Sequence, residues 1–361
     1  MLSFALASLA SDPLRIGGED RSVGLVPYVQ VDTLIAEDAP DAFATDRADL
    51  NVARLYLAGT AGALSATFAV EGTEGVFVKY ANVAYAVSDR LSVTLGQQDE
   101  PFSLTDLPGG KALTFADSSE VAAIVPGDNV GLGALYDGGA YSLAGGVYGG
   151  DLRTGVAEEG VAVSARATWN PTGREGLVTH LGLAANHRTG ADFEAGFAQG
   201  VGAGLVPRRL VAIGGFDDVE RITRLNAEGA VRLGSVTLSS EVAWADVARA
   251  GGAAGEALAG YLQASWLVTG EARPYGVSYF TEVTPIAPVP DGGTGAVELA
   301  VRLDAADFGA QGVVRRATAA ANWHLTKALR LGFNLSLTET EDAGLPAETL
   351  GLGFLRIQYA H

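Results

Sequence analysis

The 361-residue chain carries a net charge of −18, which argues against nucleic acid as a partner because a phosphate backbone is met by a basic surface. It has no cysteine, so a disulfide, a thiolate metal site and a cysteine nucleophile are excluded. Apolar residues make up 48%, but no run of ~18 or more is free of charged and polar residues, which argues against a membrane-spanning helix. The 48 glycines are too many for a helical bundle, where each interior glycine costs about 1 kcal/mol, and they lack the period of collagen.

In chain order, residues 1–10 read like the end of a secretory signal that lacks its basic start, with a small-residue cleavage site near Ala10. No linker, charge block or low-complexity tract follows, so 11–361 reads as a single domain. Its dominant pattern has period 2. Leu91, Val93 and Leu95 alternate with Arg90, Ser92 and Thr94, and Val297, Leu299, Val301 and Leu303 with Glu298, Ala300, Arg302 and Asp304. Leu329, Leu331, Phe333, Leu335 and Leu337 alternate with Arg330, Gly332, Asn334, Ser336 and Thr338.

The pattern predicts strands near 22–34, 49–58, 63–71, 77–86, 90–98, 129–137, 140–149, 158–170, 176–187, 221–233, 235–248, 257–270, 294–304, 313–325, 328–341 and 349–359. Many approach ten residues, enough to cross a bilayer core when tilted, whereas soluble strands average about five or six. Short turns alternate with mostly longer loops, as in outer-membrane barrels. Sixteen is an even number, as single-chain barrels have. The fold class is therefore all-β, a transmembrane antiparallel barrel of about sixteen strands. Two segments strain the count. Residues 271–293 should be a short turn by parity yet are long and proline-rich. Leu205–Ile213 could be an extra strand, but Pro207 and the flanking glycines favour a loop.

Assigning each apolar set to lipid leaves Arg54, Arg166, Arg224, Arg232, Arg302, Arg316 and Arg356 as pore-lining candidates. Arginine at mid-depth on the lipid face would cost ~2–4 kcal/mol. The clearest acids of the same set are Glu228, Glu241 and Glu298. Much of the remaining acid falls on predicted loops: Glu37, Asp38, Asp41, Asp99, Glu100, Asp106, Asp117, Glu120, Asp217, Asp218 and Glu220. The channel wall thus reads as net positive and anion-favouring, the weaker alternative being that the arginines only pair with lumenal glutamates and brace the wall; the two are compatible. Loop 99–128 is the third by this count, and in sixteen-stranded porins the third loop often folds inward. Asp106, Lys111, Asp117 and Glu120 are its constriction candidates, the bland alternative being a surface loop.

Specific residues now carry a resemblance. Gly96-Gln97-Gln98-Asp99-Glu100-Pro101-Phe102-Ser103-Leu104, with Thr114-Phe115 after it, is similar to a motif of the phosphate-selective porin O/P family. Leu267-Val268-Thr269-Gly270-Glu271-Ala272-Arg273-Pro274-Tyr275, Gly295–Arg302 and Arg356–Ala360 resemble three further segments of that family, in its order. The resemblance implies a sixteen-stranded homotrimeric porin of a Gram-negative outer membrane, with Arg and Lys guiding anions and an inward third loop. Ala116-Asp117-Ser118 stands where the family usually carries a Glu-Arg pair, which removes a positive charge and weakens the implication of phosphate selectivity. His361 stands where such barrels normally end in Phe.

The reading is a non-enzymatic channel for small ions or solutes, embedded in lipid and lipopolysaccharide and placed by the barrel-assembly machinery. It has no cofactor, metal or catalytic residue and no nucleic-acid partner. A barrel enzyme is one rival, but His180, His187, His324 and His361 form no His-x-x-x-His pair, and Asn322 lies two residues from His324 on one strand. A non-conducting structural or adhesive barrel with cation-binding acidic loops is another, and a soluble β-solenoid or sandwich a third.

Overall fold

A computed structural model describes residues 16–18, 21–37, 47–73, 75–153, 155, 159–195, 197–199, 211–212, 216–252, 254–309, 312–342 and 348–360. The signal-like segment 1–10, Asp38, Asp41, the side chains of Glu37 and Asp217, and His361 lie outside them. The sixteen long strands are β1 Arg21–Glu37, β2 Arg47–Ala61, β3 Leu64–Glu71, β4 Phe77–Ala86, β5 Leu91–Asp99, β6 Asp128–Asp137, β7 Tyr141–Tyr148 and β8 Val161–Trp169. They continue with β9 Val178–Ala195, β10 Phe216–Leu233, β11 Val236–Arg249, β12 Gly255–Leu267, β13 Ala296–Asp307, β14 Gly312–His324, β15 Leu329–Asp342 and β16 Glu348–Ala360. Each pairs antiparallel with its neighbours in sequence, and β16 pairs with β1 from Gly351↔Glu37 to Ala360↔Tyr28. The sheet is therefore closed and leaves no free edge, the condition for spanning lipid with strands.

All sixteen predicted strands are present, with shifted ends. β9 and β10 run on to Ala195 and back to Phe216, beyond the predicted limits of 187 and 221. Past the bilayer the ladder needs no apolar outer set, so this stretch reads as loop although Arg188, Thr189 and, beyond a register break, Phe193 and Ala195 stay paired with the next strand. β12 stops at Leu267, because Gly270, at φ +100°, bonds back to the Leu267 carbonyl and turns the chain. Of the segment 205–213, Val211–Ala212 pairs with Ala198–Gln199 in a separate two-stranded piece and adds nothing to the barrel. The connection 268–295 is an elaborated turn at the short-turn end, so the parity conflict left the strand count intact.

Alternation sorts the side chains. On β8, Ala162, Ser164, Arg166 and Thr168 are buried, whereas Val161, Val163 and Trp169 are exposed. The outer band includes Leu57, Leu95, Leu183, Leu238, Val301 and Leu335, all exposed in the single chain. A soluble monomer rarely exposes a contiguous apolar patch beyond a few hundred Å². Tyr85, Tyr141, Trp169, Trp266, Trp323 and Tyr359 are also exposed and all stand beside short turns. This places an aromatic girdle at one water–lipid boundary, where an apolar ring with a polar tip is best accommodated.

One irregularity positions functional side chains. On β3 and β4, Ala69 pairs with Tyr80 and Val70 with Val78, so Lys79 is the extra residue of a bulge. The bulge brings consecutive Lys79 and Tyr80 onto the inner face, which strict alternation forbids. Lys79 forms an ion pair with Asp128 of β6, and the Tyr80 hydroxyl donates to Asp99 at 3.0 Å.

The channel lining and its tethers

The connections 100–127 and 268–295 both reach inner-face side chains, and the residues that carry the resemblance hold them. At the root of 100–127, Gly96 takes φ +119°, where a Cβ would meet the Ala81 carbonyl oxygen at 2.2 Å. Gln97 donates to the carbonyl of Lys79 at 2.8 Å and accepts from the Leu152 amide at 2.9 Å. The buried Glu100 carboxylate accepts from Arg188 and Asn129, each at 2.7 Å, from Asn186 at 2.8 Å and from Ser164. Beyond Phe102, the amides of Leu104 and Thr105, both at 3.0 Å, and the Thr105 hydroxyl at 2.8 Å converge on Glu241 of β11.

The far part of the segment binds other strands. The carbonyls of Asp117 and Ser118 accept from Arg302, both at 3.1 Å, and the Arg302 guanidinium lies 4.6 Å from the Phe115 ring centre. The Ala116 amide donates to Asn334 at 3.0 Å, and the carbonyls of Thr114 and Lys111 accept from Asn322 and Gln358. The segment 100–127 is thus bound along β11 and β13–β16.

The turn 268–295 is held on the same side. Arg273 donates to Glu298 at 2.5 Å and to the carbonyl of Ala112 at 3.1 Å. The Tyr275 hydroxyl contacts His180 at 2.6 Å, whose other ring nitrogen lies 2.9 Å from Glu228. Glu228 also accepts from Arg166 at 2.6 Å, and Arg166 donates to the Ser278 carbonyl at 2.8 Å. His180 is thus part of this tether, while His324 lies 3.5 Å from Glu298 on the neighbouring strand.

The seven arginines named from the sequence are buried or half-buried, with varied company. Arg54 is paired with Glu71, Arg166 with Glu228, Arg302 with Asp304, Arg316 with Glu120 and Arg356 with Asp32, each at 3.0 Å or less. Arg224 donates to Asn186 at 2.7 Å, and Arg232 donates to the carbonyls of Arg273, Arg174 and Gly176. The wall is therefore not a row of free positive charge. Its acids were undercounted, because Asp32, Glu71 and Asp304 share the inner face. Nor is the third-loop acid set apart from the wall, since Glu100, Asp117 and Glu120 bind Arg188 and Arg316. Arg188 and Arg273 are buried as well and lie outside the predicted strands, whereas Arg330, read on the polar set of 328–341, is a further buried arginine not among the pore-lining candidates.

A cavity of about 630 Å³ remains along the opposite arc, β1–β8. Small residues of that arc, among them Ala58, Ser65, Thr67, Ala84, Ser92 and Thr94, leave it open. Across from them lie Leu107–Lys111 and parts of the 268–295 turn. Of the predicted residues, Arg54, Arg166 and Lys111 line this space. Asp106 lines a smaller one of about 200 Å³ between the loop and β11–β12.

Tyr28, Tyr56 and Tyr80 form the centre of the wall. Tyr56 and Tyr80 flank Ala69 in register and stack with ring centres 6.2 Å apart. The Arg54 guanidinium lies 5.7, 5.7 and 5.9 Å from the centres of Tyr28, Tyr56 and Tyr80. The Lys111 ammonium lies 4.6 Å from Tyr56 and 5.7 Å from Tyr28, and has no carboxylate within ion-pair distance among the described residues. Burial lowers its pKa to about 8, with Glu282 opposing the shift. Burial also raises Asp106 to about 7, and the neighbouring charge of Asp99 adds to the rise.

A closed sixteen-strand antiparallel barrel with an apolar outer band and a polar, partly filled lumen defines an outer-membrane channel of the porin class. The chain belongs to the phosphate-selective porin O and P family, whose model matches residues 45–360. It lies in the outer membrane of a Gram-negative bacterium. An uncharacterised protein of Caulobacter vibrioides is 27% identical over 273 residues, which cover 70% of this chain and 54% of that protein. The chain thus spans about half the length of that curated relative.

Among solved structures, the loop-deleted outer membrane protein OmpT of Vibrio cholerae aligns with a TM-score of 0.62 at 10% identity, over 95% of this chain and 100% of that one. An anion-selective porin from Comamonas acidovorans aligns with a TM-score of 0.55 at 17% identity, over 94% and 100%. The outer membrane channel DcaP of Acinetobacter baumannii gives 0.57 at 12% identity, over 96% and 100%. At these identities the likeness is one of fold.

Proposed function

We propose that the protein is a passive diffusion channel preferring small anions, with no catalytic role and no resident cofactor. The observation that carries the preference is Lys111, a cation with no ion-pair partner among the described residues that lines the larger cavity beside the paired Arg54. The contacts of 100–127 with β11 and β13–β16 support reading this loop as folded inward and as the constriction, with Lys111 facing the open side and Asp117 and Glu120 serving as tethers. Phosphate selectivity is not part of the proposal, because Arg54 and Arg166 are already paired with carboxylates and Asp89, Asp99, Asp137 and Glu282 line the same cavity.

The reading is tested by reversal potential in a KCl gradient across planar bilayers. The parent channel favours chloride. One unit charge at 5 Å in water is worth ~0.8 kcal/mol, about fourfold for each ion and opposite in sign for chloride and potassium, so Lys111→Met lowers the chloride-to-potassium permeability ratio by up to about sixteenfold. A cation-selective parent channel refutes the anion preference, and no conductance at all favours the adhesive-barrel rival. A homotrimer is part of the proposal, supported by the family and by a trimer form described for the Vibrio cholerae OmpT. Unheated gel mobility and crosslinking read it directly. Export through a signal at 1–10, and 11–361 as one barrel domain, complete the reading.

A further inference from the structure

The larger cavity has two unlike sides. On the barrel wall stand Tyr28, Tyr56 and Tyr80, and across from them lie Leu107, Pro108, Pro274, Val277 and Tyr279. Between these apolar and aromatic surfaces stands Lys111, without a carboxylate partner among the described residues, while the other lining cations outside ion pairs, Arg90 and Lys327, belong to short turns at the cavity's end.

Inorganic phosphate is poorly matched to this space. A multiply charged oxyanion gives up a large hydration energy and needs several donors or cations in return. Arg54 and Arg166 are held by Glu71 and Glu228, and the carboxylates of Asp99 and Glu282 line the same cavity. An anion with a single charge and an apolar body fits better. Its carboxylate takes the three donors of Lys111, and its body meets tyrosine rings and the Leu107-Pro108 edge, each buried CH₂-sized group contributing ~0.8 kcal/mol. A second observation points to the same place. The Tyr28 hydroxyl, on a residue 1% exposed and close to Lys111, is buried and has no hydrogen-bond partner among the described residues, so it is available as a donor to a carboxylate oxygen.

We propose that this stretch of the lumen is a binding subsite for aromatic monocarboxylates, an inference that rests on the anion-channel reading and names its solute class. Benzoate has the required shape: one carboxylate, one flat ring, no second charge.

The test uses the full chain in planar bilayers, measuring how added solutes block the chloride current. Benzoate gives a saturable block at a concentration at least about tenfold lower than acetate. Phosphate and the neutral benzyl alcohol block more weakly than benzoate. Tyr56→Ser removes the advantage of benzoate over acetate, and Tyr56→Phe keeps it, because the ring face is retained. Tyr80→Ser serves as the second variant should Tyr56→Ser not yield the heat-modifiable folded form. Equal block by benzoate and acetate, a stronger block by phosphate, or an equal block by benzyl alcohol overturns the subsite. Reversal potentials from the same membranes separate the two readings. Chloride preference with equal block defeats the subsite alone, whereas cation preference defeats the anion channel beneath it.

Discussion

Glu241→Gln is the most informative single change in the tether of the third loop. Its carboxylate receives five hydrogen bonds. The Thr105 amide at 3.0 Å, the Thr105 hydroxyl at 2.8 Å and the Tyr261 hydroxyl at 2.8 Å meet Oε1. The Leu104 amide and Asn226, both at 3.0 Å, meet Oε2. All five partners donate. Glutamine has nearly the same shape but replaces one acceptor oxygen with an NH₂ group, so at least two donors lose their acceptor and face other donors. At about 1–3 kcal/mol for each buried group left unsatisfied, the cost is roughly 2–6 kcal/mol.

The rest of the tether survives, since Glu100 holds the root and Arg302, Asn322 and Asn334 hold the far part. The barrel should therefore still fold, while 103–111 loosens. Because the chain lacks cysteine, Leu107→Cys provides a clean reporter. In the Glu241→Gln background its labelling by a charged thiol reagent should rise about tenfold, with greater open-channel current noise. Labelling and noise equal to those of the parent would show that Glu241 does not hold the loop.

Three further outcomes follow from the geometry. As pH rises from 6 to 9, Asp106 gains a negative charge near 7 and Lys111 loses its positive charge near 8, so anion preference should fade across that interval; a flat profile of reversal potential would show that neither group titrates there. Gly110→Ala places a methyl 2.5 Å from the Tyr28 hydroxyl and should change the single-channel conductance, which Tyr28→Phe on top should partly restore; no change in the single variant rules out that contact. Val301→Arg puts a charge on the lipid face beside inward Arg302, at a cost of ~2–4 kcal/mol at mid-depth, and should reduce the heat-modifiable folded fraction. An undiminished fraction would place residue 301 in the lumen.

Period-2 alternation sufficed to locate every barrel strand and to turn Arg54, Arg166 and Arg302 inward, because lipid on one side and water on the other impose that period on each crossing. The same pattern is silent where no crossing is made. Asp117 and Glu120 read as ordinary loop acids, since only tertiary structure brings them to Arg316. Tyr28, Tyr56 and Tyr80 were overlooked because tyrosine suits a lipid boundary and a wet lumen equally well. Lys79 was hidden by a bulge that breaks parity. The proline-rich 268–295 segment has no period, and its position shows only in the ties from Arg273 to Glu298 and from Tyr275 to His180.

The division of the lumen into a tethered arc and an open arc bears on how such a channel diversifies. The ion pairs and loop anchors lie chiefly along β9–β16, while the open side is walled by residues as small as Ala58, Ser65, Ala84 and Thr94. Enlarging or shrinking one of these residues re-bores the channel by a few ångströms without disturbing a buried charge. Solute preference can therefore drift through single, mechanically cheap steps on one arc, while the opposite arc keeps the chassis unchanged.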